Sequence, residues 1–130
     1  YTSTDATFAN SFDDDGEYWG VVADGDDVPY VPDSSLALVA GFVNSNGLSG
    51  NMRYVSNGSS CSTAACGRNQ TIDAHSFLDL NLRKTLNKNM DVYLVVENVL
   101  DSKDIVARAP KDGARSQKPR TMKVGISYNF

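Results

Sequence analysis

The last ten residues constrain this chain more than any others. From Thr121 to Phe130 the even positions are Met122, Val124, Ile126, Tyr128 and Phe130. The odd positions are Thr121, Lys123, Gly125, Ser127 and Asn129. A period of two without exception belongs to a β-strand whose two faces meet different surroundings, and a helix cannot satisfy it. The same parity runs through Leu78, Leu80 and Leu82 in the segment Asp73 to Arg83, with Asp79, Asn81 and Arg83 as the polar set. It runs again through Met90, Val92, Leu94 and Val96 in the segment Met90 to Leu100, where Asn98 interrupts it before Leu100. Weaker versions are Leu36, Leu38, Ala40 and Phe42; Leu48, Gly50, Met52 and Tyr54 around Asn51 and Arg53; and Ala6, Phe8 and Phe12. The pattern predicts six strands of about ten to twelve residues, near the ~9–11 that cross a bilayer as a tilted strand.

The connections alternate in length. Asn44–Ser45–Asn46–Gly47 and Leu86–Asn87–Lys88–Asn89 read as tight turns, while residues 13–30, 57–72 and 101–119 read as long polar loops. Short turns at one end and long loops at the other are the organisation of bacterial outer-membrane barrels, the short turns being periplasmic. The predicted fold is therefore all-β: an antiparallel transmembrane β-barrel segment, about six up-and-down strands of a larger barrel, in the bacterial outer membrane. Composition permits this. The chain is 41% hydrophobic and 22% charged, and no apolar run approaches the ~18 residues of a membrane helix. Alternating strands keep average hydropathy low, so a barrel stays open where a helical span is excluded. A net charge of −4 argues against nucleic acid as partner. The chain starts at Tyr1 without an initiator methionine or a signal peptide, and we expect sequence upstream of it.

The ending Lys123–Val124–Gly125–Ile126–Ser127–Tyr128–Asn129–Phe130 resembles the assembly signal that closes outer-membrane barrels. That pattern is a polar residue, a glycine two on, an aromatic or apolar residue three further, and a terminal aromatic. The resemblance implies the barrel-assembly machinery as a partner, with Lys123, Gly125, Tyr128 and Phe130 as the recognised positions. Tyr128 and Phe130 suit an aromatic girdle at the membrane interface. Gly125 suits a close approach of backbone.

Further motifs resemble one family. Val96–Glu97–Asn98–Val99–Leu100–Asp101 is similar to the "NLFD" element closing the penultimate strand of TonB-dependent receptors. Val28–Pro29–Tyr30–Val31–Pro32 resembles that family's entry into a descending strand, and Leu48–Ser49–Gly50–Asn51–Met52–Arg53–Tyr54 its partner. The stretch Asp104–Ile105–Val106–Ala107–Arg108, with Gly113–Ala114–Arg115 and Lys118–Pro119–Arg120, is nearest to ferric-dicitrate-type receptors. The resemblance spans essentially all of residues 1–130. It implies the C-terminal part of a barrel of about 22 strands, with the plug domain, the TonB box and the earlier strands outside this span. TonB would be met only through that plug. A ferric chelate is the implied substrate, with outer-membrane lipid and lipopolysaccharide as surroundings. An isolated piece of this kind, with two open edges, is expected to pair with other copies, refold or aggregate.

The candidate site residues are few. The loop after Asp101 carries Lys103, Arg108, Lys111, Arg115, Lys118 and Arg120 against Asp101, Asp104 and Asp112. Guanidinium groups bind carboxylates bidentately, so Arg108 and Arg115 are the candidate contacts for an anionic chelate. A solvated loop, or one meeting lipopolysaccharide phosphates, is the competing reading. The first loop holds Asp13, Asp14, Asp15, Glu17, Asp24, Asp26 and Asp27 beside Tyr18, Trp19 and Tyr30. Such acids could hold calcium, but the ordered spacing of a calcium loop is missing, and a charged, solvated loop is the alternative. Cys61 and Cys66, with four residues between them, fit neither a redox CxxC nor a zinc site. They suit a small disulfide loop in an oxidising compartment, or two free thiols. His75 has odd parity and reads as a wet wall residue or a ligand. No metal and no cofactor are expected. No nucleophile elbow, phosphate loop or HExxH occurs, so an enzyme is not expected. A passive barrel or adhesin-like fragment and a soluble β-rich binding domain are the other functional classes.

Overall fold

A computed structural model describes residues 1–13, 21–67, 69–108 and 113–130. Among these residues the strands are, in chain order, β1 (Thr2–Ser3), β2 (Phe12–Asp13), β3 (Val21–Val22), β4 (Ser34–Val43), β5 (Leu48–Asn57), β6 (Ser60–Cys61), β7 (Thr71–Ile72), β8 (His75–Asn87), β9 (Met90–Glu97), β10 (Ile105–Arg108), β11 (Ala114–Ser116) and β12 (Thr121–Tyr128). They form one antiparallel six-stranded sheet, ordered β1-β4-β5-β8-β9-β12, and three two-stranded ribbons, β2-β3, β6-β7 and β10-β11. The sheet is open and does not close on itself within this span. The chain divides into two compact units: Tyr1–Leu36, Ser56–His75 and Asp104–Gln117 in a loop unit, and Ala37–Val55, Ser76–Lys103 and Lys118–Phe130 in a strand unit.

In the strand unit, register carries out what the parity predicts. Leu80, Leu82 and Lys84 stand opposite Val96, Leu94 and Val92. Met122, Val124, Ile126 and Tyr128 stand opposite Val96, Leu94, Val92 and Met90. Even residues meet even residues across three strands, so one face is apolar. That face is open: Met122 is 65% exposed, Val124 72% and Ile126 67%. A soluble surface rarely leaves so continuous an apolar patch uncovered. At about 25 cal/mol per Å² of apolar area, water disfavours it strongly. Strands β4 and β5 have 10 residues each. Tilted by ~45°, such strands span roughly the ~25 Å apolar band of an outer-membrane barrel.

The odd positions of β5, β8, β9 and β12 hold most of the polar groups, which satisfy one another across strands, whereas β4 is apolar at Val39 and Val43 as well. Arg83 Nη2 lies 2.6 Å from Asp91 Oδ2, and Thr85 Oγ1 donates to Asp91 Oδ1 at 2.6 Å. Lys118 and Lys123 share Glu97, with Nζ–O distances of 2.5 and 3.0 Å. Asn81 Nδ2 donates to Asn51 Oδ1 at 3.0 Å. At the turn end, Gly47 takes a φ of +79°, which an L side chain rarely adopts. Its carbonyl accepts from Thr85 N at 2.9 Å. One cation, Lys84, falls on the apolar face, and its Nζ reaches the Asn46 carbonyl at 2.6 Å.

Two expectations need correction. The first segment, marked by Ala6, Phe8 and Phe12, was expected to be one of the six full strands, but only Thr2 and Ser3 join the sheet, opposite Ser35 and Ser34. The remainder pairs within the loop unit. Phe8 N donates to Asp26 O, Gly25 N to Phe8 O and Val28 N to Ala6 O, at 2.8–2.9 Å. The physical reason is visible in the residues: Thr2, Thr4 and Asn10 interrupt the even set, so no continuous apolar face holds this segment to a sheet. Likewise the three long connections are more than irregular loops. The second and third each contain one of the short ribbons, the first holds all of its ribbon but Phe12, and the loop unit buries Val22 and Ile72 to 1% exposure.

Asn98 is a buried polar side chain of the strand unit with several partners. It is 4% exposed and has a φ of +52°, a region that Asn tolerates better than most residues. Its backbone N donates to Asp79 Oδ1 at 3.0 Å. Its Nδ2 donates to the carbonyls of Ser102 and Lys118 at 2.9 and 2.8 Å, and its Oδ1 accepts from Ser102 N at 3.2 Å. This fastens the end of β9 to the start of β12. Replacing Asn98 by Ala strands these backbone groups and is expected to cost about 2–3 kcal/mol. The check is the unfolding midpoint of the purified protein, which should fall clearly.

Candidate functional site

The loop unit gathers three separate connections around one tyrosine. In β6 and β7, Cys61 faces Thr71 and Ser60 faces Ile72. Cys61 is joined to Cys66 by a disulfide, with Cα atoms 5.3 Å apart, so the loop between β6 and β7 is fastened to the end of β6. Tyr30 N donates to Cys61 O at 2.7 Å, and Tyr30 Oη donates to Arg108 O at 2.6 Å. Arg108 Nε in turn donates to Thr71 O at 2.8 Å. Tyr30 sits at φ +61°, a conformation costing a non-glycine residue about 1–3 kcal/mol. Such strain persists only where the surroundings over-determine it, and the bonds at both ends of Tyr30 do so. The first connection, the disulfide ribbon and the β10-β11 hairpin are thereby tied to one another.

This arrangement decides where the two candidate arginines point. Arg108 stands opposite Ala114, and Arg115 opposite Ala107. On adjacent positions of a ribbon these side chains leave opposite faces. Arg108 is half-buried and spends its Nε on Thr71, whereas Arg115 is exposed. The structure brings them onto one hairpin but not onto one face.

The remaining candidates are placed as follows. Both ring nitrogens of His75 lie near protein groups, Nε2 at 3.4 Å from Asn57 Nδ2 and Nδ1 at 3.1 Å from Asp73 O. In the acidic first loop, Asp26 Oδ2 accepts from Ala23 N at 2.8 Å. A cavity of about 150 Å³ is lined by Asp5, Asp27, Asp33, Ser59, Ser60 and Thr71, among others. Among the described residues, no group of three or more His, Cys, Asp or Glu side chains could hold a metal ion. Asp14, Asp15, Glu17, Tyr18, Trp19, Lys111 and Asp112 lie outside the described residues.

The terminal motif acquires partners that its sequence does not name. Lys123 shares Glu97 with Lys118. Gly125 stands opposite Tyr93, and a Cβ at this glycine would overlap the Tyr93 ring. The glycine therefore makes room for a side chain, where the sequence suggested room for backbone. The Tyr128 and Phe130 rings meet edge to face at 5.2 Å. The end of the chain is tied to the β8-β9 turn by Asn129 N to Asn89 O at 2.9 Å and Asn89 Nδ2 to Asn129 O at 2.7 Å. Sequence reasoning missed Glu97, Tyr93, Asp91 and Asn98. Asn98 had a signal, as the one polar residue in the even set of its segment.

With this geometry in hand, known proteins offer one kind of match. No family model matches the chain, and no curated protein sequence matches it. Two solved structures of the ferric-catecholate import receptor Fiu from E. coli K12 do. The open form superposes with a TM-score of 0.68 at 23% identity, covering 78% of this chain and 16% of that receptor. The closed form gives 0.67 at 24% identity, covering 80% and 15%. The likeness is one of fold. The chain thus has the architecture of a small part of an import receptor and spans far less than the whole of it.

Two outcomes are expected. Gly125→Val should destabilise the sheet, and a second change, Tyr93→Ala, should recover part of that loss. The non-additivity, measured as unfolding midpoints of the four combinations, reports the pairing; strictly additive losses would refute it. Tyr30→Phe removes one hydroxyl hydrogen bond of about 1 kcal/mol. Backbone hydrogen exchange over residues 105–116 should then rise about fivefold, and unchanged exchange would show that the contact does not hold the hairpin.

Proposed function

We propose that residues 1–130 are the C-terminal part of the β-barrel of a TonB-dependent outer-membrane receptor that imports a ferric chelate. The observation that carries this reading is the open sheet with its apolar residues turned outward, Met122, Val124 and Ile126 among them. Its opposite face is polar and cross-linked by hydrogen bonds and ion pairs. A sheet with one face for lipid and one for water is a barrel wall. The fold shared with an import receptor supports the same reading, as do the motifs ending at Asp101 and Phe130.

In this reading the strands form the wall, and the ribbons of the long connections lie outside the cell. Iron enters as cargo, held by an anionic chelator, and the chain needs no resident cofactor. Arg115, exposed on β11, is the proposed first contact with the chelate, and Arg108 the second, through the part of its guanidinium beyond Nε. TonB acts through a plug domain outside this span. The segment from Asp104 to Arg120 favours ferric dicitrate by resemblance, while the structural neighbour imports ferric catecholate. Both are anionic chelates, and the proposal is stated at that level. Lys123, Gly125, Tyr128 and Phe130 are proposed to deliver the barrel to the assembly machinery.

The test is genetic. Deleting the gene that encodes this chain should abolish growth on one ferric chelate as sole iron source, with ferric citrate and ferric catecholates tried separately. Normal growth on every chelate would overturn the transport reading. Removing Phe130 alone should lower the amount of assembled receptor in the outer membrane, read by resistance to protease and by heat-modified gel mobility.

A further inference from the structure

We propose that Arg53, stacked on Phe77 on the polar face of the strand unit, is a binding contact for the anionic ferric chelate as it passes along the barrel wall. The inference rests on the transport reading above and adds to it a site away from the loop arginines.

Three observations point to it. First, Arg53 on β5 and Phe77 on β8 have the odd parity of the face that carries Asn51, Asn81, Arg83 and Lys123. In the proposed barrel that is the aqueous side. Second, the other strand cations on this face are already neutralised. Arg83 is on Asp91 and Lys123 is on Glu97, at 2.6 and 3.0 Å. No carboxylate among the described residues forms an ion pair with Arg53. Asp79, also on this face, accepts the backbone N–H of Asn98 at 3.0 Å. Arg53 is exposed. Third, its Cζ lies 5.9 Å from the centroid of the Phe77 ring.

The physics of the pair explains the choice of residues. A guanidinium against an aromatic ring is held by cation–π attraction and loses much of its rotamer freedom before any ligand arrives. A guanidinium held at this distance from one ring keeps N–H groups for a ligand. Those groups match carboxylate or catecholate oxygens in a planar, bidentate manner. A wall cation without a protein counter-ion also attracts an anionic chelate at a distance, an effect that salt weakens.

The experiment uses the full-length receptor, purified in detergent, with ferric citrate and a ferric tris-catecholate as probes. Binding is followed by titration at low and at high salt. With the probe that the wild type binds, Arg53→Gln should raise Kd by about tenfold, the loss expected for one charge-assisted contact. It should also flatten the salt dependence. Arg53→Lys should retain most of the salt dependence with weaker binding, and Phe77→Leu should fall between wild type and Arg53→Gln. Unfolding midpoints of all variants should stay near wild type. A wild-type Kd and salt dependence in Arg53→Gln would overturn the assignment while leaving transport intact. So would a lowered unfolding midpoint with unchanged Kd, because Arg53 would then serve the wall alone. A wild-type receptor that binds neither probe would overturn the transport reading and this inference together.

Discussion

Register is the constraint on which the strand unit depends. With Val124 opposite Leu94 and Leu94 opposite Leu82, the even apolar side chains of three strands are committed to one face. A slip of one residue in β12 would reverse its whole set, placing Lys123 and Ser127 on the apolar side. Several contacts hold that register from the polar side. The Glu97 pair with Lys123, the Tyr93 ring over Gly125 and the Arg83–Thr85–Asp91 group all join odd residues across strands. Apolar side chains give the sheet its orientation, and polar ones give it its alignment.

The loop unit is organised on a different principle. It has a small core, in which Val22, Ile72 and Ala64 are buried, and the segments around it are fastened by backbone carbonyls. Tyr30, Arg108 and Thr71 join regions far apart in sequence without using parity. A conformation as unfavourable as that of Tyr30 is kept because its N–H and its hydroxyl are both engaged.

The difference between the units is also the difference between what sequence reveals and what it hides. Strands β4, β5, β8, β9 and β12 were legible because period-two alternation is local and repeated. The tight turn at Asn44–Gly47 was legible because Asn and Gly supply backbone conformations that other residues resist. The short ribbons inside the long connections were not legible, since two-residue strands leave no periodic trace. Tyr1 to Phe12 misled because three apolar residues at even positions looked like a face, although Thr2, Thr4 and Asn10 break it. The candidate arginines were visible by type. Their opposite facing on β10-β11 was not, because that depends on a pairing of Arg108 with Ala114 which nothing local encodes. Asn98 was visible only as a flaw in its strand, and the structure turns that flaw into the fastening between β9 and β12.

Lys84 has one more consequence. It is the exception on the apolar face, and its ammonium group bends back to the Asn46 carbonyl at the turn end. In the membrane setting proposed here, its stem can lie in hydrocarbon while its head stays at the boundary. Sinking the wall deeper would drag that charge into the oil, a cost that falls off toward the interface. In that proposed setting Lys84 would work as a depth stop, setting how far the strands descend into the bilayer independently of how they pair with one another.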